Sequence, residues 1–211
     1  NEYSLLGAKN AARKAGIEFE YIVTTDRADY DKNIKSLLDN NASLIFTIGF
    51  TQAEATAKAA KNYPDRHFAI LDFAYFPGMG CPGTVSDCYT PEGGLSNVTS
   101  IVFKEDQPAF LGGVFAACMS ESKNIGVVAG EKIPPVLRLT QGFESGARSI
   151  IPDINIQIEY IPNFNDPETG YSTAKNFIEM GADILFCPAG RTGLGGLKAA
   201  AESNIKAIGV D

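Results

Sequence analysis

Apolar positions in this chain fall in short continuous runs, separated by turns and by stretches whose period is that of a helix. Runs of strand length lie at 17–23, 44–48, 68–71, 98–103, 125–128, 154–161, 184–187 and 207–210. Segments such as LIFTIGF, FAILDF and DILFC are apolar at consecutive positions. That is the pattern of strands covered on both faces, and hence of parallel sheets. Between the runs lie TQAEATAKAAKNYP, PETGYSTAKNFIEMG and GLGGLKAAAESN, which end at Gly, Pro or Asn as helices do. The opening NEYSLLGAKNAARKAG reads as an amphipathic helix. The succession predicts an α/β fold of parallel sheets flanked by helices.

Two lobes fit the pattern better than one sheet. A strand restarts at SESKNIGVVAG after the Ala-rich apolar helix PAFLGGVFAACM, which places a boundary near Ser122 and lobes at 1–122 and 123–211. The segment 73–96 is long, aperiodic and rich in Gly and Pro, the character of an insertion loop. The chain opens inside a helix and stops at a strand end, so it reads as truncated at both ends, with the N-terminal lobe incomplete.

Composition narrows the function classes. The chain has 211 residues, 45% apolar and 20% charged, which excludes a disordered or fibrous protein. No apolar run approaches the roughly 18 residues a membrane span requires. The net charge of −7, with no basic patch, argues against nucleic acid as a partner. Cys81 and Cys88 sit in GMGCPGTVSDC, where a loop can join them as a disulfide or leave two thiols. Cys118 and Cys187 lie in apolar runs, as small buried hydrophobes. With no CxxC pair and a lone histidine, His67, leading into a strand, no metal or cofactor is expected.

Ligands of open α/β sheets bind beyond the carboxyl ends of the strands. The residues there are Gly49-Phe50-Thr51, Asp72, the 163–166 stretch NFND, the 189–193 stretch AGRTG, and Asp211. Acids with rings nearby suit a flat, hydroxyl-bearing ligand: carboxylates accept from hydroxyls and rings stack on the planar part. Each has a plainer reading. Asp72 equally fits the N-cap of a following helix, and Phe50 and Phe164 equally fit packing under loops. Asp166 before Pro167-Glu168 reads as a helix N-cap, Glu105-Asp106 before Gln107-Pro108 reads the same way, and Asp183 reads as a solvated turn residue. The turn at Gly193 resembles a dinucleotide fingerprint, but Lys198 stands where the third glycine belongs. No nucleophile elbow and no catalytic cluster is present, which tips the reading from turnover to binding.

The ordered set DYDKNIKSLLDNNASLIFTIGFTQAEA, AKNYPDRHFAILD, NVTSIVFKEDQPAFLGG, NIGVVAGE, GFESGARSIIPD, FNDPETG, GADILFCPAGRTGLGG and AIGVD resembles the basic membrane protein family, substrate-binding lipoproteins of ABC importers. The resemblance implies a type I periplasmic-binding-protein fold, closing on a nucleoside (purine in the receptors of this kind) or a related sugar between two lobes. It implies a permease as partner, an extracytoplasmic location and a lipid anchor outside this sequence. Carried over by position, Asn1 ends a D-x-S-F-N motif and meets the base edge. Phe164 stacks on the base, Asp211 accepts from the ribose hydroxyls, Asp72 and Phe50 line the first-lobe wall, and Gly190 offers backbone contact. Arg138 and Phe143 are weaker candidates. Arg191 replaces a commonly small residue, and the family continues past the G-V-D motif to a lysine that assists ribose binding. Two other readings stay open: a ligand-sensing regulator of the same fold, and an NAD-dependent enzyme built on the Gly193 turn.

Overall fold

The computed structural model describes residues 2–210. The chain divides into two compact units, Asn1–Phe103 and Lys104–Asp211.

The first unit begins with α1 (Glu2–Ala15), followed by α2 (Tyr30–Asp39), β1 (Leu44–Ile48), α3 (Ala53–Asn62), β2 (His67–Leu71), two short strands β3 (Phe76–Pro77) and β4 (Gly80–Cys81), and β5 (Val98–Ile101). Its sheet is parallel, in the order β1-β2-β5, with Ile45 opposite Phe68 and Phe68 opposite Val98. Ile45, Phe68 and Ile70 are the buried centre, closed by Ile34 and Leu38 of α2 and by the alanines of α3. The strand expected at 17–23 does not form. Among the described residues no strand pairs with it, and Ile17, Phe19, Tyr21 and Val23 stand exposed. Strand propensity alone stabilises little without a ladder partner. The segment is instead held by side-chain bonds, from Asn33 Nδ2 to Thr24 Oγ1 and from Asn40 Nδ2 to the Glu20 carboxylate.

The connection from β2 to β5 is unusual. Parallel neighbours are ordinarily joined by a crossover helix. Here 73–96 makes no helix, and Cys81 and Cys88 are joined by a disulfide across a sequence separation of 7. Tyr75, Cys81, Cys88 and Leu95 are buried in the same cluster as the sheet. The expected insertion loop is therefore a core element that covers the sheet where a helix would.

The second unit runs α4 (Asp106–Met119), β6 (Asn124–Ala129), α5 (Pro134–Ile150), β7 (Asn155–Tyr160), α6 (Pro167–Glu179), β8 (Ile184–Cys187), α7 (Gly190–Glu202) and β9 (Lys206–Gly209). The parallel order β7-β6-β8-β9 is that of a doubly wound sheet. Strand alternation assigns the faces. Ile125, Val127, Ile184 and Phe186 join a cluster with Val136 and Phe143, while Val128, Leu185 and Cys187 join one with Ala174, Phe177 and Ala199. Phe143 is core, fully buried and stacked on Phe186 at 4.4 Å between ring centroids. The helix pairs cross on glycines: a Cβ on Gly113 would lie 2.0 Å from Phe143 O, and one on Gly195 would lie 1.9 Å from Pro167 O. Because α4 packs on α5 in this way, it belongs with the second compact unit, which begins at Lys104.

Candidate functional site

The strand-end residues of each unit are positioned by separate local networks. In the second unit the carboxyl ends of β6 and β8 are Gly130 and the stretch 188–190. Phe164, half-buried, lies against both: a Cβ on Gly130 would sit 2.3 Å from Phe164 Cε1, and one on Gly190 would sit 3.5 Å from Phe164 Cδ1. The ring therefore occupies the space that a side chain at Gly130 would fill and rests in van der Waals contact beside Gly190. Thr192, fully buried in the first turn of α7, fixes its backbone. The Thr192 amide donates to Phe164 O at 3.2 Å. Its hydroxyl donates to Asn163 O at 2.6 Å and accepts from Asp166 N at 2.9 Å. Asp166 is the N-cap of α6 as expected, accepting from Thr169 N at 3.0 Å and Thr169 Oγ1 at 2.7 Å. The Thr169 amide and hydroxyl hold the Asp166 carboxyl below the ordinary aspartate range.

Gly190 is exposed and opens α7 with φ +54°. The following glycines do not form an open nucleotide turn. They lie inside α7, with Gly193 and Gly196 against Cys187 and Gly195 against Pro167. Their role is close packing of α7 against β8 and α6. Burial pushes the Cys187 thiol beneath them up to about 12.

In the first unit, Gly49 turns the chain out of β1 at φ +96°. Its amide donates to Leu71 O at 3.0 Å, and its carbonyl accepts from Gln52 N at 3.1 Å. Phe50, half-buried, begins a single 3₁₀ turn into α3, and Thr51 Oγ1 shares a 2.9 Å hydrogen bond with Tyr30 OH. Asp72 is half-buried at the end of β2, where its amide donates to Ile101 O at 2.7 Å. It caps no helix, because none follows. Its φ of +68° is a left-handed conformation that Asp tolerates better than bulkier residues.

Asn1 and Asp211 lie outside the described residues. Among the weaker candidates, Arg138 donates from Nε to Glu105 Oε2 at 2.6 Å. Glu105 thus pairs with α5 instead of capping α4, and its Oε1 is buried with no hydrogen-bond partner. Asp183 also departs from expectation. It accepts from Ser120 Oγ, Glu121 N and Ser122 N at 2.7, 2.6 and 2.9 Å. Partial burial raises its pKa, but these hydrogen bonds outweigh it and hold the carboxyl below the usual range. A surface groove of about 560 Å³ along the α4–α5 crossing, lined by Asp106, Phe110 and Gly142 among others, includes none of the strand-end residues.

Gly130 was not singled out from sequence, and Thr192 only as one residue of the 189–193 strand-end stretch. The available signals were a glycine directly after an apolar run in VVAG and a threonine opening a helix after a strand. Among the described residues no group of three or more His, Cys, Asp or Glu could hold a metal, and no helix is long and apolar enough to cross a membrane.

Two units of parallel sheet flanked by helices are the architecture of the type I periplasmic binding proteins, which are also the structural neighbours. A solute-binding protein of an ABC transporter system from Aeropyrum pernix superposes with a TM-score of 0.73 at 26% identity, over 99% of this chain and 56% of that one. The chain belongs to the Bmp family, described as ABC transporter substrate-binding protein PnrA-like, whose profile matches residues 1–211. An ABC transporter nucleoside-binding protein, BmpA of Lactococcus lactis, is 31% identical over 90% of this chain and 49% of its own length. Basic membrane protein A of Borreliella burgdorferi is 30% identical over 100% of this chain and 58% of its own. The chain thus spans about half the length of the relatives it matches.

Proposed function

We propose that this protein is the extracytoplasmic solute-binding component of an ABC importer and captures a nucleoside, of the purine kind, for delivery to a permease. The observation that carries the reading is the Phe164 ring, seated across Gly130 and Gly190 at the ends of β6 and β8. A ring so held is a flat apolar platform whose orientation is fixed before ligand arrives, and an aromatic base is the ligand part that fits it. Asp72, and by family likeness Asp211, supply acceptors for sugar hydroxyls. Burying those acceptors penalises analogues that lack the hydroxyls. A lipid anchor holding the protein at the cell membrane belongs to the same proposal. Family membership and the nucleoside-binding relative support it.

A thermal-shift screen of purine and pyrimidine nucleosides, free pentoses and NAD tests it, followed by calorimetry on the hits. The expected result is stabilisation by nucleosides above pentoses and NAD, with a Kd near micromolar or tighter, about −8 kcal/mol. Phe164→Ala should weaken binding by about 1–3 kcal/mol, the usual worth of base stacking on a ring. Stabilisation by NAD alone, or equal nucleoside binding by Phe164→Ala, would overturn the reading.

A further inference from the structure

The helix-free crossover 73–96 leaves β2 at Asp72, so its fold decides where that carboxylate stands. A continuous series of contacts runs from the disulfide to Asp72. Tyr89 follows Cys88 directly, and its hydroxyl donates to Ser100 Oγ on β5 at 2.7 Å. The same hydroxyl accepts from the Tyr75 amide at 2.8 Å. Tyr75 is buried, with its own hydroxyl donating to Ala53 O at 2.7 Å and its ring filling the space that a Cβ on Gly80 would occupy. The ring of Phe73, the residue after Asp72, meets Tyr75 edge-on at 5.1 Å. Burial pushes the Tyr75 hydroxyl well above the ordinary tyrosine range, so it remains a donor. Ala53 is the first residue of α3, just past the Phe50 turn. One buried tyrosine therefore ties together the two strand ends that carry Phe50 and Asp72.

A left-handed non-glycine residue persists where its surroundings hold it. We infer that the Cys81–Cys88 crossover, acting through Tyr89 and Tyr75, positions Asp72 for ligand. Tyr89 and Tyr75 are positioning residues that need not touch the ligand. The disulfide holds the segment in which Tyr89 sits. The effect on affinity rests on the nucleoside reading above; the effect on the Asp72 backbone does not.

Two measurements on the same variants separate these. In a double-mutant cycle, Asp72→Ala is expected to raise the nucleoside Kd at least tenfold, and Tyr89→Phe to raise it about five- to tenfold. In the Asp72→Ala background, Tyr89→Phe is expected to change Kd less than twofold, because its effect passes through the missing carboxylate. A structural role alone would multiply Kd equally in both backgrounds. Amide hydrogen exchange gives a readout without ligand. Tyr89→Phe should speed exchange at Asp72, bonded to Ile101 O, at least tenfold, while Phe68, bonded to Asn97 O at the other end of β2, stays unchanged. Joint replacement of Cys81 and Cys88 by serine should act like Tyr89→Phe at Asp72; should that variant fail to fold, Tyr89→Phe, which keeps the disulfide, decides. If the unaltered protein binds no nucleoside but Asp72 exchange rises selectively, the nucleoside reading falls and the positioning role stands. Equal Kd factors in both backgrounds, or unchanged Asp72 exchange, overturns the inference.

Discussion

Gly130→Ala probes the physical basis of the Phe164 platform. Gly130 is absent from the positive-φ positions, so alanine meets no backbone penalty there, and the added methyl acts only by contact. That methyl would stand 2.3 Å from Phe164 Cε1 and 2.8 Å from Cδ1 and Cζ, well inside contact distance. Two responses are open to the protein. Keeping the ring in place overpacks the site, at about 1–3 kcal/mol. Expelling the ring sacrifices the burial of a half-buried phenylalanine, about 1–1.5 kcal/mol where full burial is worth about 1.5–3. The cheaper response sets the cost, so Gly130→Ala should destabilise by about 1–1.5 kcal/mol. It should also weaken nucleoside binding as much as Phe164→Ala does. Equilibrium urea denaturation of both single variants and the double variant forms the assay. Once the ring is gone the methyl has room, so Gly130→Ala should be neutral within about 0.5 kcal/mol in the Phe164→Ala background. Simple additivity would refute the argument, for it would mean that glycine and ring do not share the space.

Three further expectations follow from the same geometry. Thr192→Val keeps the shape but strips Asn163 O and Asp166 N of their partner, and should cost about 2–3 kcal/mol in denaturation, where a loss under 0.5 kcal/mol would deny that the hydroxyl pins the loop. Asp183→Asn should cost about 1 kcal/mol at pH 7 after allowance for solvent screening. Because the folded carboxyl titrates below its unfolded value near pH 3.9, this stability is present above that value and fades as pH falls through the folded one; melting curves should show wild type and Asp183→Asn converging below about pH 4, and a constant gap would contradict the linkage. Of the two unpaired cysteines, exposed Cys118 should react with a thiol reagent in the native protein, whereas Cys187, buried and with its thiol pushed up to about 12, should react only on unfolding.

What the sequence made legible was whatever depends on neighbours along the chain. The run at 184–187 coincides with β8 because a strand buried on both faces is apolar at every position. The run at 44–48 coincides with β1, but there Ile45 and Thr47 are buried while Leu44 and Phe46 are exposed, so its apolar run does not mark two covered faces. Asp166 was readable as a cap because its partner is three residues away. What stayed hidden depends on distant partners. Asp183 looked like a solvated turn, yet it binds Ser120, Glu121 and Ser122 more than 60 residues earlier. The run at 17–23 has strand composition, but composition does not say whether a partner edge is present. The platform was half legible: Phe164 was named, but the glycine it rests on lies at the end of another strand, and only the fold brings them together. Asp72 was named with two readings, and the missing helix after β2 removes the capping one.

The glycines of GRTGLGG show how one composition serves two physical ends. A glycine that binds phosphate does so by exposing backbone, whereas a glycine that packs does so by letting another backbone approach. The segment mixes both types: Gly190 has a positive φ at an exposed helix start, while Gly193, Gly195 and Gly196 each face a backbone or sulfur atom that a Cβ would strike. The packing glycines still bear on the site, through distance rather than contact. Gly170 of α6 and Gly195 of α7 let the two helices cross so closely that a Cβ on Gly170 would stand 2.0 Å from Thr192 O. Thr192 in turn holds Asn163, Phe164 and Asp166. The close approach of α6 and α7 is thus coupled, through Thr192, to the loop that carries Phe164.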